Sequence, residues 1–375
     1  MKVLFVSNIP SPYRVDFFNE LGKYTNLTVT FEREKASDRN DKWVRERAQN
    51  YEEIVFDGLK LGSDKAITFR VLKVLNRKWD AVIITGYSTP TAMLSIWYLK
   101  KNRKPFFIEA DGGFIRNECS IKKYIKRYFV SSASGWFLGS KESASCFEHY
   151  GAEKSRIYYY PFTSIFEADL KCNSTVLRSK KSYKEELGIK EEKIILFVGQ
   201  IIKRKGVDDL IKASELIDKS VGIYIVGGEP TKELLQIMNN SKYNPGRIHF
   251  EGFKHKDELD AYYRAADLFV LPTREDVWGL VINEAMSYGL PIITTLTCLA
   301  GKELVIDGEN GRIIHPDDPG ELAEAANEVL SENKYLEYGL KSLDLIKDYT
   351  IEKMTYAHMS VLKDINTYKS IGGSL

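Results

Sequence analysis

The chain has 375 residues, of which 43% are hydrophobic and 12% aromatic, so it has enough apolar material for about two to three domains with true cores. The formal net charge is only +2, which gives no reason to expect a nucleic-acid partner. The cysteines have no paired spacing, which argues against a disulfide framework or a zinc site and fits a reducing compartment. They are Cys119, Cys146, Cys172 and Cys298.

Neither of the two most apolar stretches predicts a membrane span or a leader. The run after Met1 is too short for a signal-peptide core. The stretch from Ala81 to Leu99 is broken by Pro90 and several polar residues, so it is typical of a strand followed by a helix. We therefore expect a cytoplasmic protein, at most in contact with the inner face of the membrane.

Apolar runs alternate with amphipathic segments over the first 160 residues. The runs predict strands at Met1–Ser7, Leu27–Phe31, Ala81–Thr85, Pro105–Ile108, Trp136–Leu138 and Ile157–Tyr160. The amphipathic segments predict helices around Val15–Leu21 and at Ile67–Leu75, Thr91–Leu99, Ile121–Val130 and Lys141–Tyr150. The charged segment Glu32–Asn50 has no clean period and predicts an irregular loop.

The polar segment Glu167–Glu185 predicts a linker, after which the alternation restarts. Strands are predicted at Ile194–Val198, Ile223–Val226, Ile248–Phe250, Leu268–Leu271, Ile292–Thr295 and Gly311–Ile314. Helices are predicted at Val207–Ile217, Lys232–Met238, Leu259–Ala266, Asp276–Gly289, Leu322–Leu330, Tyr335–Ile346 and Ile351–Ile365. Strands that alternate with helices are typical of doubly wound parallel sheets, so the expected class is α/β.

The most informative stretch is residues 267–295, DLFVLPTREDVWGLVINEAMSYGLPIITT. A buried strand is followed by a polar turn and then by a helix for which Asp276 is a good N-cap. The amino end of this helix should point to the carboxyl edge of the sheet, where free N–H groups and the helix dipole favour phosphate. Glu284 lies near the middle of the helix, so no capping role explains it.

This stretch resembles the Glu-x7-Glu signature of the retaining glycosyltransferases of family 4, of the "glycosyl transferases group 1" type. The similarity runs from Asp276-Val277-Trp278-Gly279-Leu280 to Glu284-Ala285. Asp276 holds the first acidic position, and Glu275 is one residue early. The resemblance implies the GT-B fold, with two Rossmann-like doubly wound domains that face a central cleft. We expect an acceptor-side domain at 1–168, a nucleotide-sugar domain at 169–350 and a terminal helix at 351–375 that crosses back to the first domain.

A basic segment, Gly199-Gln200-Ile201-Ile202-Lys203-Arg204-Lys205-Gly206, joins a strand to a helix. From the residues alone it is either a solvated basic turn or a clamp for a pyrophosphate leaving group. It is similar to the family's Gly-Arg…Lys-Gly donor-phosphate motif, in which Lys205-Gly206 match and Gln200 stands where Arg is common.

The resemblance implies roles for these residues. Lys205 would neutralise the diphosphate, Glu284 would hold the ribose hydroxyls, and Asp276 or Glu275 would contact the donor sugar. We expect Lys205 and Asp276 to act in catalysis, together with Asp111 of the first domain. The expected donor-binding residues are Gly199, Gln200, Lys203, Arg204, Gly252, Phe253, Glu275, Gly279, Leu280 and Glu284.

On the acceptor side, Glu109 and Asp111 follow a predicted strand, near the position where the family often has a catalytic-site His. They fit hydrogen bonding to acceptor hydroxyls, a simple turn, or a divalent metal site. The resemblance favours no metal. Ser11 and Arg14, in the loop after the first strand, are the other acceptor-side candidates.

The implied activity is transfer of a hexose-type sugar, with retention, from a UDP- or GDP-sugar to a glycan or lipid-linked acceptor in polysaccharide or glycoconjugate biosynthesis. No cofactor is expected beyond this co-substrate. Two alternatives stay open: a GT-B nucleotide-sugar epimerase, and a catalytically silent nucleotide-sugar-binding subunit.

The predicted helix Ile121–Val130 has an apolar face and a basic face. The basic face consists of Lys122, Lys123, Lys126 and Arg127. A helix of this kind can lie on an anionic membrane, and a helix packed on the core with a solvated face has the same pattern. The sequence leaves both readings open.

Overall fold

The computed structural model describes residues 1–34, 47–61, 65–171, 173–239, 245–331 and 334–370. The chain divides into two compact units. The first comprises Met1–Ser164 and Thr350–Leu375, and the second comprises Ile165–Tyr349. The sequence places these boundaries after residues 168 and 350. None of the described helices is both long and apolar enough to cross a membrane.

The first unit is built on a parallel sheet whose strands are apolar runs buried on both faces. Its strands are β1 (Lys2–Ser7), β2 (Asn26–Phe31), β3 (Glu52–Val55), β4 (Leu59–Lys60), β5 (Ala66–Ile67), β6 (Ala81–Thr85), β7 (Phe107–Ala110), β8 (Gly135–Leu138) and β9 (Ile157–Tyr159). The order in the sheet is β3-β2-β1-β6-β7-β8-β9, while β4 and β5 form a separate antiparallel pair. The order therefore reverses between β1 and β6.

Helices connect these strands and cover the sheet. They are α1 (Pro12–Gly22), α2 (Val71–Leu75), α3 (Pro90–Lys101), α4 (Ser120–Val130) and α5 (Lys141–His149). Arg14, predicted in a loop, lies in the first turn of α1 because Pro12 starts the helix directly after Ser11.

The second unit repeats this architecture with a parallel sheet of order β12-β11-β10-β13-β14-β15. Its strands are β10 (Lys193–Val198), β11 (Val221–Val226), β12 (Ile248–Phe250), β13 (Leu268–Leu271), β14 (Ile292–Thr295) and β15 (Gly311–Ile314). Its helices are α6 (Asn173–Glu186), α7 (Val207–Ala213), α8 (Lys232–Met238), α9 (Lys256–Ala265), α10 (Leu280–Ser287), α11 (Leu299–Leu304), α12 (Pro319–Leu330) and α13 (Lys334–Ile346). The α/β class and the two doubly wound parallel sheets that the sequence predicts are confirmed.

The last helix, α14 (Ile351–Ser370), belongs to the first unit and packs against α1. Its buried side includes Ile351, Met354 and Leu362. His358 on the same helix is fully buried, with its ring stacked on Phe137 at 4.6 Å.

Two predicted elements of the second unit are wrong for identifiable reasons. The predicted linker Glu167–Glu185 contains helix α6, whose Lys184 reaches Asp267 at 2.7 Å. Helix α7 ends at Ala213 rather than at Ile217. The Arg247 guanidinium donates hydrogen bonds to the carbonyls of Ser214 and Ile217, which lie beyond that end.

Two predictions in the first unit also differ from the structure. The segment predicted as helix Ile67–Leu75 begins with strand β5, because the Ala66 amide donates to Glu32 at 3.2 Å and Lys60 pairs with Ala66. The mostly polar strands β3 and β4 were not predicted, since they have no apolar run. Residues 35–46 of the predicted irregular segment lie outside the described residues.

Candidate functional site

The strand order of the second unit reverses between β10 and β13. Strands β10 and β13 are neighbours, and the chain proceeds to β11 and β12 on one side and to β14 and β15 on the other. In open parallel sheets a crevice forms at such a reversal, outside the carboxyl ends of the strands, and ligands bind there. The two loops at this position carry the basic segment 203–205 and the acidic motif that begins at Glu275.

Lys205 and Asp276 are joined at this reversal. The Lys205 ammonium donates to the Asp276 carboxylate, and each side chain is only 12% exposed. The Arg204 guanidinium lies 3.6 Å from the other oxygen of Asp276 and donates to the Glu275 carbonyl at 2.6 Å. The structure therefore brings together four of the residues that the sequence predicts in the donor site.

Backbone contacts hold the two loops against each other. The Arg204 carbonyl accepts hydrogen bonds from the Thr273 hydroxyl at 2.9 Å and from the Arg274 amide at 2.8 Å. Gly206 has φ +71°, and a Cβ there would lie 1.9 Å from the Pro272 carbonyl oxygen. Only glycine permits this approach, and a larger residue at 206 would push the loops apart.

Helix α10 starts later than the sequence predicts. Its N-cap is Gly279, with φ +100°, and Asp276 makes no capping hydrogen bond to it. The backbone of Asp276 instead continues along the neighbouring loop, where its amide donates to the Thr297 carbonyl at 3.0 Å and its carbonyl accepts from Leu299 at 3.2 Å. The prediction that Asp276 caps the helix is therefore wrong, and its carboxylate pairs with Lys205 instead.

A Cβ at Gly279 would lie 3.1 Å from the Cys298 sulfur and 3.2 Å from Leu271, and with φ +100° a larger residue there would be strained. The first amides of an α-helix have no acceptor within the helix. Those at the start of α10, including that of Leu280, stand where an anion can accept from them and where the helix dipole is favourable.

Glu284 lies on α10, in the middle of the helix as predicted, and is partly buried. The Tyr263 hydroxyl donates to its carboxylate at 3.0 Å, and the Tyr263 ring stacks on Tyr288 at 5.0 Å. Burial raises the pKa of the Tyr263 phenol well above its usual value, so the hydroxyl stays a donor. The carboxylate is thereby fixed in orientation.

The remaining predicted donor residues lie on the same sheet edge or its loops. The Gly227 amide donates to the Gly252 carbonyl at 2.7 Å, and a Cβ at Gly227 would lie 2.0 Å from the Gly199 carbonyl oxygen. Gly227 thus contacts both Gly199 and Gly252, two of the predicted donor residues. The Gly227-Gly228 pair after β11 is the sequence feature that indicates this close approach. Phe253 is partly buried, whereas Gln200 and Lys203 are exposed.

In the first unit, the predicted acceptor-side residues form one buried cluster. Arg14 pairs with both Glu109 and Asp111. Asp111 also accepts from Tyr160 at 3.2 Å and from Tyr13 at 3.4 Å. The two tyrosines were not predicted.

Burial differs within this cluster. Glu109 is 0% exposed and Ser11 and Arg14 are buried, while the Asp111 side chain is 23% exposed. Of the four predicted first-unit residues, Asp111 therefore presents the most accessible side chain. Glu109, predicted to face the acceptor, binds Arg14 instead, because it is sealed inside the unit.

His358 is fully buried beside Glu109 of this cluster. Its Nδ1 lies 2.8 Å from the Met354 carbonyl oxygen, and its Nε2 lies 3.8 Å from Glu109. Burial lowers the pKa of His358, so the imidazole is neutral and donates from Nδ1 to Met354. Burial likewise raises the pKa of Asp111, although Arg14 opposes this shift. No local pattern in the sequence singles out His358, because it lies far along the chain from Glu109.

Over the described part of the chain, no group of three or more His, Cys, Asp or Glu side chains is arranged to hold a metal ion. The prediction that the reaction needs no metal stays a prediction, which a chelation experiment can test.

A model of the family "Glycosyl transferases group 1" matches residues 179–340, which lie within the second unit and include both loops of the site. Residues 179–340 are therefore similar to the glycosyl transferases group 1. The match includes residues 276–285, the stretch that resembles the family signature.

Relatives agree with this assignment. The chain is 28% identical to an uncharacterized glycosyltransferase of Methanocaldococcus jannaschii over 51% of this chain and 48% of that protein. It is 27% identical to the lipopolysaccharide glucosyltransferase WaaG of Escherichia coli over 52% of each. The chain thus spans about half of the length of these curated relatives.

Solved structures show the fold of the whole chain. Sucrose-phosphate synthase from Thermosynechococcus elongatus superposes with a TM-score of 0.74, at 16% identity, covering 98% of this chain and all of that one. HepE of Anabaena, solved in complex with UDP, gives a TM-score of 0.76 at 19% identity, covering 97% of this chain and all of that one. The chain therefore has the GT-B fold, with two Rossmann-like units.

Proposed function

We propose that the protein is a retaining glycosyltransferase that moves a hexose from a nucleotide-diphosphate sugar to a glycan or lipid-linked acceptor. The observation that carries the proposal is the Lys205–Asp276 pair at the reversal between β10 and β13, beside the start of α10. A cation and free helix amides at one point are what a diphosphate needs. HepE, which has the same fold, has been solved with UDP-glucose, which supports a nucleotide sugar as the donor.

In this proposal the diphosphate of the donor binds the amides at Gly279 and Leu280, and Lys205 faces the leaving phosphate. As the bond from the anomeric carbon to the phosphate oxygen breaks, negative charge grows on that oxygen, and the preorganised ammonium stabilises it. Asp276 holds the ammonium in place until then. Arg204 adds a second cation, where Gln200 replaces the arginine that is common in the family.

Glu284 is proposed to bind the ribose. An ionised carboxylate is purely an acceptor, so it suits the two hydroxyls of a diol. The Tyr263 hydroxyl holds one of its oxygens at 3.0 Å, which orients the carboxylate before the donor arrives. The experiment below identifies the nucleotide of the donor, UDP or GDP, and the hexose.

In the first unit, Asp111 is the proposed contact for a sugar hydroxyl. It is the accessible carboxylate of the buried cluster, and Arg14, Tyr13 and Tyr160 fix its position. We propose retention of the anomeric configuration, with the leaving phosphate accepting the proton of the attacking hydroxyl. This course needs no protein nucleophile and no metal.

Incubation with radiolabelled UDP- and GDP-hexoses tests the proposal. Transfer to an added acceptor, or slow release of free sugar by hydrolysis with retained configuration, is the expected result. A new nucleotide sugar would identify an epimerase instead, and no change with any donor would identify a silent binding subunit. Nucleotides are screened first by thermal stabilisation, since a ligand at about 100 times its Kd adds about 2.7 kcal/mol.

A further inference from the structure

Helix α4 carries its apolar stripe on the outside of the first unit. Ile121, Tyr124 and Ile125 are 73%, 72% and 41% exposed, and every residue from Ile121 to Ile125 is exposed. A helix packed on the core would bury this stripe against its own unit. The core-packed reading that the sequence left open therefore does not hold for Ile121, Tyr124 and Ile125, whereas Phe129 near the end of the helix packs against the core.

The opposite side of α4 attaches the helix to the unit. Lys126 donates to Glu118 at 2.8 Å, and Val130 at the end of the helix is fully buried. The hydrogen bonds that Lys126 and Tyr150 donate to the Glu118 carboxylate lower its pKa, so Glu118 is ionised and the pair is charged. Because the helix is attached through Lys126 and Val130, the exposed apolar stripe has no role in this unit's core.

Cations and aromatic rings surround the stripe. Neither α4 nor the adjacent helix α3 contains an acidic residue. Lys100 on α3 lies 3.8 Å from the centre of the Tyr128 ring on α4, and Trp97 on α3 is exposed beside Lys101. The exposed cations of the two helices are Lys100, Lys101, Lys122, Lys123 and Arg127.

We propose that this surface, α4 with the adjacent side of α3, docks on an anionic lipid bilayer and inserts Ile121, Tyr124 and Ile125 into its interfacial region. Tyr and Trp are favoured at that depth, and Lys and Arg are attracted by anionic head groups. Helix α4 is 11 residues long, too short to span a membrane, so it lies in the plane of the interface.

Charge decides between a bilayer and a second copy of the chain. A symmetric dimer through this surface would bring the cations of both copies together with no carboxylate on either helix to balance them. An anionic bilayer complements both the apolar stripe and its positive rim. The inference goes beyond the proposed transfer reaction and does not depend on the donor site.

Sedimentation of the intact protein with vesicles tests it. Vesicles of phosphatidylcholine with phosphatidylglycerol should bind the protein, and those of phosphatidylcholine alone should bind it far more weakly. The charge variant Lys122→Ser/Lys123→Ser/Arg127→Ser should bind the mixed vesicles at least about a hundredfold more weakly, since each cation near the surface contributes about a factor of five. Wild type should keep part of its vesicle binding at high salt, because that part comes from the apolar side chains. The apolar variant Ile121→Ser/Tyr124→Ser/Ile125→Ser should lose this salt-resistant binding.

The matched control removes equally exposed apolar side chains elsewhere on the first unit, as Tyr24→Ser/Leu59→Ser/Tyr356→Ser, and should bind like wild type. Circular dichroism melts verify that each variant is folded. The proposal is overturned if wild type fails to sediment with the mixed vesicles, or if the apolar variant binds as tightly as the control. Self-association of wild type without lipid, lost in the apolar variant, would assign the stripe to a second copy instead.

Discussion

Lys205 and Asp276 form an ion pair of low solvent exposure although 71 residues separate them in the chain. The pair joins the loop after β10 to the loop after β13, at the reversal of the sheet order. In the proposed function, an anion at the start of α10 would compete with Asp276 for the same ammonium. Asp276 would then hold the Lys205 ammonium in position before a phosphate binds.

Replacing Lys205 tests whether its charge acts on the leaving group. Lys205→Ala should lower kcat by about 10²–10³ and change donor binding much less, because the charge on the leaving phosphate is greatest in the transition state. Steady-state kinetics with the donor found above measure both. Lys203→Ala, which alters an exposed cation of the same loop, should cost far less. Equal losses in the two variants would argue against a specific role for Lys205.

Asp276 and Glu275 compete for the first acidic position of the motif. Asp276→Ala should reduce activity more than Glu275→Ala, because Asp276 binds Lys205 directly and Glu275 does not. Removing the partner of a shielded ammonium should also lower stability by about 1–3 kcal/mol. Kinetics and urea unfolding of both variants separate the two effects. A larger activity loss in Glu275→Ala would transfer the role to that residue.

Glu284 is expected to contribute binding energy in the ground state and the transition state alike. Glu284→Ala should therefore raise the donor KM and leave kcat nearly unchanged. Tyr263→Phe, which removes only the hydrogen bond that orients the carboxylate, should raise KM less. If both Lys205→Ala and Glu284→Ala were folded with near-normal kinetics, the donor site would have to be elsewhere.

Chelation tests the predicted independence from metal. Activity should persist after dialysis against EDTA, because Lys205 and Arg204 provide the positive charge that a divalent ion otherwise supplies. Loss of turnover with EDTA and its recovery with magnesium or manganese would contradict this, and Asp111 would then be tested as a ligand by Asp111→Asn.

His358 should make stability depend on pH. Burial holds its pKa below the usual value, so the folded protein keeps it neutral while the unfolded chain takes up a proton below about pH 6.5. The contribution of neutral His358 to the free energy of unfolding is therefore fully present above about pH 6.5 and is lost as the pH falls toward the folded pKa. The slope is at most about 1.4 kcal/mol per pH unit.

Urea unfolding of wild type and His358→Phe between pH 5 and pH 8, a range of about three units around the ordinary pKa of histidine, measures this effect. The facing charges Glu109, Arg14 and Asp111 remain in both proteins, so the difference between the two curves isolates His358. That difference should shrink as the pH falls. Parallel curves would show that His358 does not titrate on unfolding.

Local patterns explain why much of the fold could be predicted. Strand Leu268–Leu271 was predicted with its observed bounds because a short apolar run between polar residues has few other readings. Helix Lys232–Met238 was likewise predicted correctly, where Thr231 caps the helix by accepting from Leu234 at 3.4 Å. Such elements are specified by residues next to one another in the chain.

The missed features depend on partners far away in the chain. Asp276 is of a residue type favoured at helix N-caps, yet its carboxylate binds Lys205. Residues 167–185 have the composition of a linker, yet Lys180 and Lys184 reach Asp267. In the first unit Arg14, Glu109 and Asp111 were each predicted, but their mutual pairing and the burial of Glu109 by His358 could not be predicted from one sequence without its topology.

The position of α14 in the first unit also determines the order in which the protein is completed during synthesis. The second unit is one continuous segment, and all of it is synthesised before α14. Until then the aromatic rings of Phe17, Phe137 and Tyr160, which contact His358 in the finished protein, lack this cover. The first unit, although its synthesis starts first, therefore obtains its full set of contacts only after the second unit has been synthesised.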